Sequence, residues 1–490
     1  MASAYPEAVH PLVVGFDLDM TLIDTRPGIA AVWDALSAET GVYVDSAEAV
    51  SRLGPPLDEE LANWFPADQV AAMGDRFREL YPTLAVAPVG LLPGAREAVD
   101  AVHAHGGRVV VVTAKYGPNA RLHLDHLGID ADEVVGWLWG PAKGEALLTY
   151  GASIFVGDHV ADVLGARAAG AISVGVPTGP VPADELLAAG ADVVLADLRD
   201  FPAWLDTHVL DLRLAALDAR LRELGSVLVA FSGGADSAFL LAAAVRALGA
   251  DRVVAATAVS SSLPGSELDP AARFAADLGV RHLFPGTNEL DREGYRANAG
   301  DRCYFCKAEL LDVLSPLADE QGLATVATGT NADDAVAGFR PGIRAAAERH
   351  AVTPLLDAGL TKSQVRAASR RWGLATWDKP AAACLSSRVA FGIEITPARL
   401  ARVDRAEAGV RAALAAAGIA VENVRVRDLG ERARVEVDAA RVAAVTASTA
   451  VAEAVRTAGF ASVEVDPRGF RSGSMNELLA QPERYRSAPG

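Results

Sequence analysis

Cysteine is nearly absent, with three residues in 490. So few thiols cannot build a disulfide scaffold, and an odd count points to a reducing compartment. Long hydrophobic runs are missing too. No stretch of about 18 apolar residues occurs, so no membrane-spanning helix is expected. The amino terminus lacks a basic segment followed by an apolar core, so no export signal is read there. Basic residues are in deficit: 45 Lys and Arg against 63 Asp and Glu give a net charge of −18. A field of that sign repels phosphate backbones and argues against bulk nucleic-acid binding. Proline (26) and glycine (44) are too few for a collagen-like or linker-dominated chain. What remains, 51% apolar and 22% charged, is a globular chain expected in the cytoplasm, acting on small molecules without membrane or nucleic acid. At roughly 100–200 residues per domain, the length predicts two to four domains.

Short, continuously apolar runs at 12–16 (LVVGF), 108–113 (RVVVVT), 153–157 (SIFVG) and 226–231 (SVLVAF) alternate with Ala-rich amphipathic stretches. Unbroken apolar character is what a parallel strand covered on both faces requires. The fold class is therefore α/β, with two Rossmann-like parallel-sheet domains over 1–195 and 223–395. Residues 196–222 carry a Pro and many charges before an amphipathic pattern, and read as a linker that becomes the first helix of the second domain. Beyond residue 396 the style changes. VENVRVRDL and RARVEVD alternate apolar with charged residues, the pattern of a half-exposed antiparallel pair. With helical 439–458 and a strand near 461–465, residues 396–490 read as a small α+β domain. No internal repeat is evident.

The turn after the first run reads Asp17-Leu18-Asp19-Met20-Thr21. Carboxyl ends of strands are where open α/β sheets bind ligands. Thr113 ends a later run, Lys143 sits in GPAKGEAL, and Gly157-Asp158 with Asp162 closes SIFVG. Clustered acids, a hydroxyl and a lysine are the parts needed for phosphoryl transfer through an aspartyl-phosphate, with Mg2+ held by oxygen ligands. In this order the set resembles the haloacid dehalogenase superfamily, in its phosphoglycolate phosphatase-like branch, over about 11–180. The resemblance implies Asp17 as nucleophile, Asp19 as general acid/base, and Thr113 and Lys143 as phosphate ligands. It implies Asp17, Asp19 and Asp158 around Mg2+ with Asp162 in support, and a helical cap over about 27–90. The substrate is not readable from these motifs.

The run SVLVAF leads straight into Ser232-Gly233-Gly234-Ala235-Asp236-Ser237 and an apolar helix stopped by Gly249. Glycines let the backbone approach an anion, and free amides at a helix start bind it. The absence of a GK[ST] lysine argues against a Walker-type site. SGGxDS after a strand instead resembles the pyrophosphate loop of enzymes that cleave ATP to AMP and pyrophosphate, a resemblance that implies that Asp236 helps to hold Mg2+. Three further passages, DRCYFCK (301–307), ATGTNADDAVAGFRPG (327–342) and KPAAACLSSRVAFG (379–392), together resemble the LarE family of ATP-dependent sulfur transferases. That resemblance extends through Glu407, Arg425 and Arg427 to RGFRSGSMNELL, covering roughly 220–480. It implies adenylation and sulfuration of a pyridinium dicarboxylate mononucleotide on the way to a nickel-pincer cofactor, and it suggests self-association.

All three cysteines, Cys303, Cys306 and Cys384, fall inside these passages. Family members either surrender the sulfur of a lone cysteine at the position of Cys384 or hold a 4Fe–4S cluster on a CxxC pair plus that cysteine. The full trio favours the cluster. Structural zinc, with a histidine such as His350 as fourth ligand, is the competing reading. Asn331 and Asp334 stand at the end of a strand on the ligand side of the sheet and are read as cofactor-binding, with a simple turn as the alternative. Trp372 and Trp377 read as core aromatics. A PP-loop tRNA thiolase remains a second function, disfavoured by the acidic balance. A purely regulatory or assembly role for the amino-terminal domain is a third.

Overall fold

A computed structural model describes residues 12–53, 55–336, 341–380, 383–471 and 474–478. The chain divides into two compact units, residues 1–209 and 210–490. Parts of three quoted passages, 337–340, 381–382 and 472–473 with 479, lie outside the described residues.

In the first unit the described residues form a six-stranded parallel sheet. Its strands are β1 (Val13–Phe16), β2 (Arg108–Val112), β3 (Glu133–Val135), β4 (Ile154–Gly157), β5 (Ile172–Gly175) and β6 (Val193–Val194). Their order across the sheet is β3-β2-β1-β4-β5-β6, every pairing parallel. Alternate residues of each central strand feed different cores. Val14, Phe16, Val109, Val111, Ile154 and Val156 pack on one face, and Val13, Val110, Val112 and Phe155 on the other. Burial on both faces is why these strands read as unbroken apolar runs. The order in which strands are added reverses about β1, so Asp17, Thr113 and Asp158 emerge together from the carboxyl ends of three neighbouring strands.

Between a two-residue ladder pairing Ile23–Asp24 with Gly90–Leu91 lies a helical insertion. Its helices Arg26–Thr40, Ser46–Ser51, Leu57–Leu61 and Val70–Leu84 share a separate core of Val32, Trp33, Leu36, Leu61, Phe65, Phe77 and Tyr81. This is the cap expected from the sequence.

The second unit carries a four-stranded parallel sheet of β7 (Val227–Ala230), β8 (Val253–Ala256), β9 (Arg281–Leu283) and β10 (Val326–Thr328), ordered β9-β8-β7-β10. It also carries β11 (Val424–Asp428) and β12 (Arg432–Val437), which are antiparallel, and β13 (Ser462–Val465), which runs parallel to β12. Within the segment read as a linker that becomes a helix, residues 201–224 form one continuous helix, Phe201–Leu224, with Pro202 tolerated in its first turn. One sequence expectation needs revision: β11 is not half-exposed, for all five of its residues are buried, the charged ones included. Among the described residues no helix is long and apolar enough to cross a membrane.

Candidate functional sites

In the first unit, Asp17, Asp158 and Asp162 present carboxylate oxygens within 4.8 Å of one another, all three buried. Lys143, 1% exposed, donates to Asp17 Oδ1 and Asp162 Oδ1, both at 2.6 Å. Thr21 Oγ1 donates to Asp158 Oδ1 at 3.0 Å, and Asp162 Oδ2 accepts from the His159 backbone at 3.0 Å. One lysine cannot neutralise three buried acids. Burial, then repulsion from Asp162 and Asp19, pushes the Asp17 carboxyl up to about 7, and Asp158 is raised by burial and by Asp162 and Asp17. The chemistry of this donor set, hard oxygens under mutual repulsion, fits a divalent cation such as Mg2+.

Asp19 does not join that trio. Its carboxylate meets Lys115 Nζ at 2.9 Å and accepts from Thr113 Oγ1 at 3.5 Å. Burial works to raise its pKa, but the ammonium of Lys115 outweighs it and holds the group below the ordinary range. Lys115, which the motif reading missed, also donates to Tyr81 Oη at 2.7 Å, joining the core to a cap helix. Nothing in VVVVTAK separates this lysine from a surface one; its partners, Asp19 and Tyr81, are distant in sequence. Asp17, Asp19, Thr113 and Lys115 line a cavity of about 450 Å3, together with cap residues that include Trp33 and Arg52.

In the second unit the turn after β7 adopts the conformation its glycines permit, with Gly233 at φ +69°. Ser237 Oγ donates to the Gly234 carbonyl at 3.1 Å and lies 3.1 Å from Ser232 Oγ, closing the loop over the start of the helix Ala235–Leu248. Asp236 pairs with Lys362, whose backbone amide donates to Asp333 at 2.8 Å, so the loop after β10 abuts the glycine-rich turn. Within that second loop, Asn331 Oδ1 accepts from the amides of Asp333 and Asp334, and Asp334 Oδ2 accepts from the Asn331 amide at 3.1 Å. These bonds form the turn that starts the helix Ala332–Val336. A second missed lysine, Lys379, donates to the Gly233 carbonyl at 2.9 Å and to Glu267 at 2.7 Å.

Cys384 sits where the segment from Lys379 enters the turn Leu385–Arg388. Its Sγ accepts from Ser386 Oγ at 3.2 Å, which in turn accepts from Tyr295 Oη at 2.8 Å. Arg302, at the start of the helix Arg302–Glu320 that carries Cys303 and Cys306, donates to the Ser386 carbonyl at 2.9 Å. Burial, then the neighbouring Cys384, Glu289 and Cys303, raises the Cys306 thiol well above its usual range. Lys307 beside it is brought down to about 8, chiefly by burial. The three sulfurs do not gather within 4.8 Å, alone or with another ligand-bearing side chain among the described residues. Tetrahedral zinc at about 2.3 Å from each sulfur would hold them about 3.8 Å apart. One zinc ion would therefore have to draw the sulfurs together. His350 follows Arg349, which pairs with Asp312 some two and a half turns along the helix from Cys303.

Beyond Cys384 lies the reason for the burial of β11. Arg388 donates to the Cys384 carbonyl at 3.0 Å and to both oxygens of Glu407, at 2.9 and 3.2 Å. Glu407 Oε1 also accepts from the Val426 amide at 3.0 Å. Arg427 grips Glu436 at 2.6 Å and reaches Ser474 Oγ at 3.1 Å. Arg425 lies with its guanidinium 5.3 Å from the Phe470 ring, its pKa lowered to about 10 by burial and by Arg388. The result is a buried, arginine-rich wall in which Arg388 and Arg427 each face a glutamate. Trp372 stacks on Phe239 at 4.8 Å as a core aromatic should, whereas Trp377 is 37% exposed beneath Arg370.

Comparison with known proteins divides the chain in the same way. A family model for haloacid dehalogenase-like hydrolases matches residues 14–167, and a related HAD-hydrolase-like model matches 141–201. The chain is 28% identical over 208 residues to a phosphoglycolate phosphatase of Yersinia pestis, covering 38% of this chain and 90% of that protein. It is 40% identical over 276 residues to an uncharacterised protein of Synechocystis, covering 56% of this chain and all of that one. It is 33% identical over 270 residues to the pyridinium-3,5-bisthiocarboxylic acid mononucleotide synthase of Lactiplantibacillus plantarum, covering 55% of this chain and 95% of that protein.

Proposed function

The chain belongs to the pyridinium-3,5-bisthiocarboxylic acid mononucleotide synthase (LarE) family and carries a haloacid dehalogenase-like hydrolase domain in its amino-terminal region, and on that premise we propose that it is a two-headed enzyme, an ATP-dependent sulfur transferase joined to a phosphatase. In the transferase a carboxylate oxygen of a pyridinium dicarboxylate mononucleotide attacks the α-phosphorus of ATP, and pyrophosphate leaves. Ser232, Gly233, Gly234 and Ser237 frame the anion-binding turn for that leaving group, with Asp236 beside it. A sulfur nucleophile then adds to the acyl carbon and AMP departs, leaving a thiocarboxylate. Glu407, Arg425 and Arg427 orient the substrate, the arginines by its phosphate.

The observation that carries this reading is the course of one segment. Lys379 ties it to the glycine-rich turn, Arg388 ties it to Glu407 in the arginine-rich wall, and Cys384 lies between them. Cys303, Cys306 and Cys384 would hold a 4Fe–4S cluster, which when bound supplies an open iron site able to carry transferable sulfide. Tyr295 and Arg302 hold Ser386 against Cys384, fixing the position of that sulfur.

In the phosphatase, Asp17 attacks the phosphorus of a monoester, and Asp19, which Lys115 keeps ionised in the resting site, takes up a proton in the substrate complex and passes it to the departing alcohol. Water then hydrolyses the aspartyl-phosphate, and Asp19 takes up its proton. Asp17, Asp158 and Asp162 would hold Mg2+, which when bound favours the ionised nucleophile and offsets phosphate charge. Thr113 and Lys143 contact the phosphoryl oxygens.

Anaerobic purification with iron and sulfide analysis tests the sulfur source, with iron near four atoms per chain expected. The Cys384→Ser variant is expected to keep mononucleotide-dependent exchange of pyrophosphate into ATP and to lose thiocarboxylate formation. Full sulfur transfer by that variant would refute the role given to Cys384.

A further inference from the structure

The motifs of the first unit leave its substrate unspecified. The mouth of its cavity holds a feature that phosphoryl transfer does not use. Tyr116 and Trp137 both line the cavity, with ring centroids 4.9 Å apart and planes inclined by 32°. Both are exposed, Tyr116 by 37% and Trp137 by 66%. Exposed aromatic pairs are costly to keep in water unless something covers them.

Trp137 is also held in an unfavourable backbone conformation, φ +63°, which a bulky residue rarely adopts. The surrounding loops enforce it. Its amide donates to the Lys115 carbonyl at 3.0 Å. A side chain on the preceding Gly136 would come within 2.4 Å of the Gly117 nitrogen, so the two loops run backbone against backbone. The indole is thereby fixed to the residues flanking Lys115, the same lysine that holds Asp19. Strain kept at a reactive cavity, on a side chain packed against another exposed ring rather than into a core, points to contact with a ligand.

The cavity, about 450 Å3, lies in the range of sites that enclose whole organic ligands. A phosphorylated two-carbon acid seated on Asp17 would leave most of it unfilled. A ribonucleoside monophosphate fills more of it, with its phosphate at Asp17 and its base offered to the aromatic pair that lines the same cavity. Every base offers a π-face, and a pyridinium ring adds cation–π attraction to indole.

We propose that Tyr116 and Trp137 form a base-stacking platform that selects ribonucleoside 5′-monophosphates as substrates of the amino-terminal phosphatase. The inference rests on the phosphatase reading given above and adds the class of leaving group. Two sources share this chemistry, the AMP released on sulfur transfer and pyridinium mononucleotides.

The test uses the full-length protein with Mg2+ and compares phosphate release from AMP, nicotinic acid mononucleotide and phosphoglycolate. At least one mononucleotide is expected to exceed phosphoglycolate in kcat/KM, and the ratio between the two mononucleotides identifies the base. Trp137→Ala is expected to lower the mononucleotide-to-phosphoglycolate ratio about tenfold, mainly through KM, the size of one lost stacking contact. Trp137→Phe, which keeps a ring at the site, should restore most of that ratio. Titration calorimetry of the Asp17→Asn variant with the preferred mononucleotide, with and without Trp137→Ala, reads the same contact without turnover. Hydrolysis of phosphoglycolate in preference to both mononucleotides would overturn the platform and leave the phosphatase standing. So would a ratio unmoved by Trp137→Ala. Failure to hydrolyse any of the three esters would overturn both readings.

Discussion

Arg388 is the residue on which the second site turns, because its guanidinium serves two neighbours at once. It bonds the carbonyl of Cys384 and makes a two-pronged pair with Glu407, and both side chains are buried. A buried pair of this kind contributes little net stability against an apolar replacement, but removing one partner strands the other charge in a poorly solvated place. Arg388→Met is therefore expected to cost about 3–5 kcal/mol in urea unfolding, while the double variant with Glu407→Leu recovers a large part of that loss. Neither should transfer sulfur, since Cys384 loses its anchor in both. Equal destabilisation by the single and double variants would show that the ion pair is not what holds this corner. The same logic explains why Lys143 is tolerated at 1% exposure: two carboxylates at 2.6 Å replace the water it has given up.

At the scale of elements, the cap helix Val70–Leu84 is fastened to the core through Tyr81, which accepts from Lys115 and lies 2.9 Å from His123 Nε2. Burial, then the adjacent Lys115, depresses the His123 pKa to about 4. The unfolded chain binds that proton near 6.5, so between pH 6.5 and 4 the unfolded state carries more protons and folding weakens as pH falls. Above 6.5 the histidine is neutral in both states and contributes no pH dependence. A His123→Gln variant should show a smaller drop in thermal midpoint across that window than the parent; identical slopes would contradict the assignment. Much of this layer was legible in the sequence. Strands such as Val13–Phe16 and Val227–Ala230 announce themselves because both faces are buried, and a period of one in hydrophobicity has few other causes. Strand Val424–Asp428 was misjudged for a physical reason. Alternation of valine with arginine looks the same whether the charged face meets water or meets Glu407 and Glu436. Lys115 and Lys379 were passed over similarly, since the spacing of a lysine says nothing about which distant acid or carbonyl will meet it. The acids and serines of the two turns were readable because their positions follow directly from the strand they end.

For the molecule as a whole, the two units differ in how their buried charge is met. The site of the first unit is a knot of carboxylates that outnumber its lysine, whereas in the second Arg388 and Arg427 each face a glutamate. Each is built on its own sheet and backed by its own core. No side chain assigned to phosphoryl transfer is shared with adenylation or sulfur transfer. The two activities should therefore separate cleanly by substitution. Asp17→Asn is expected to reduce phosphate release on the order of a thousandfold or more, as loss of a nucleophile does, with substrate-dependent exchange of pyrophosphate into ATP left within about twofold of the parent. Cys384→Ser should do the converse, abolishing thiocarboxylate formation while phosphate release from the preferred monoester continues at the parental rate. Both assays run on the same anaerobic preparations, so differences in cluster loading or expression do not confuse the comparison. A drop in pyrophosphate exchange in Asp17→Asn, without loss of folded protein, would mean that the phosphatase site communicates with the adenylating one. The fusion would then have to be understood as regulation rather than as two chemistries carried on one chain.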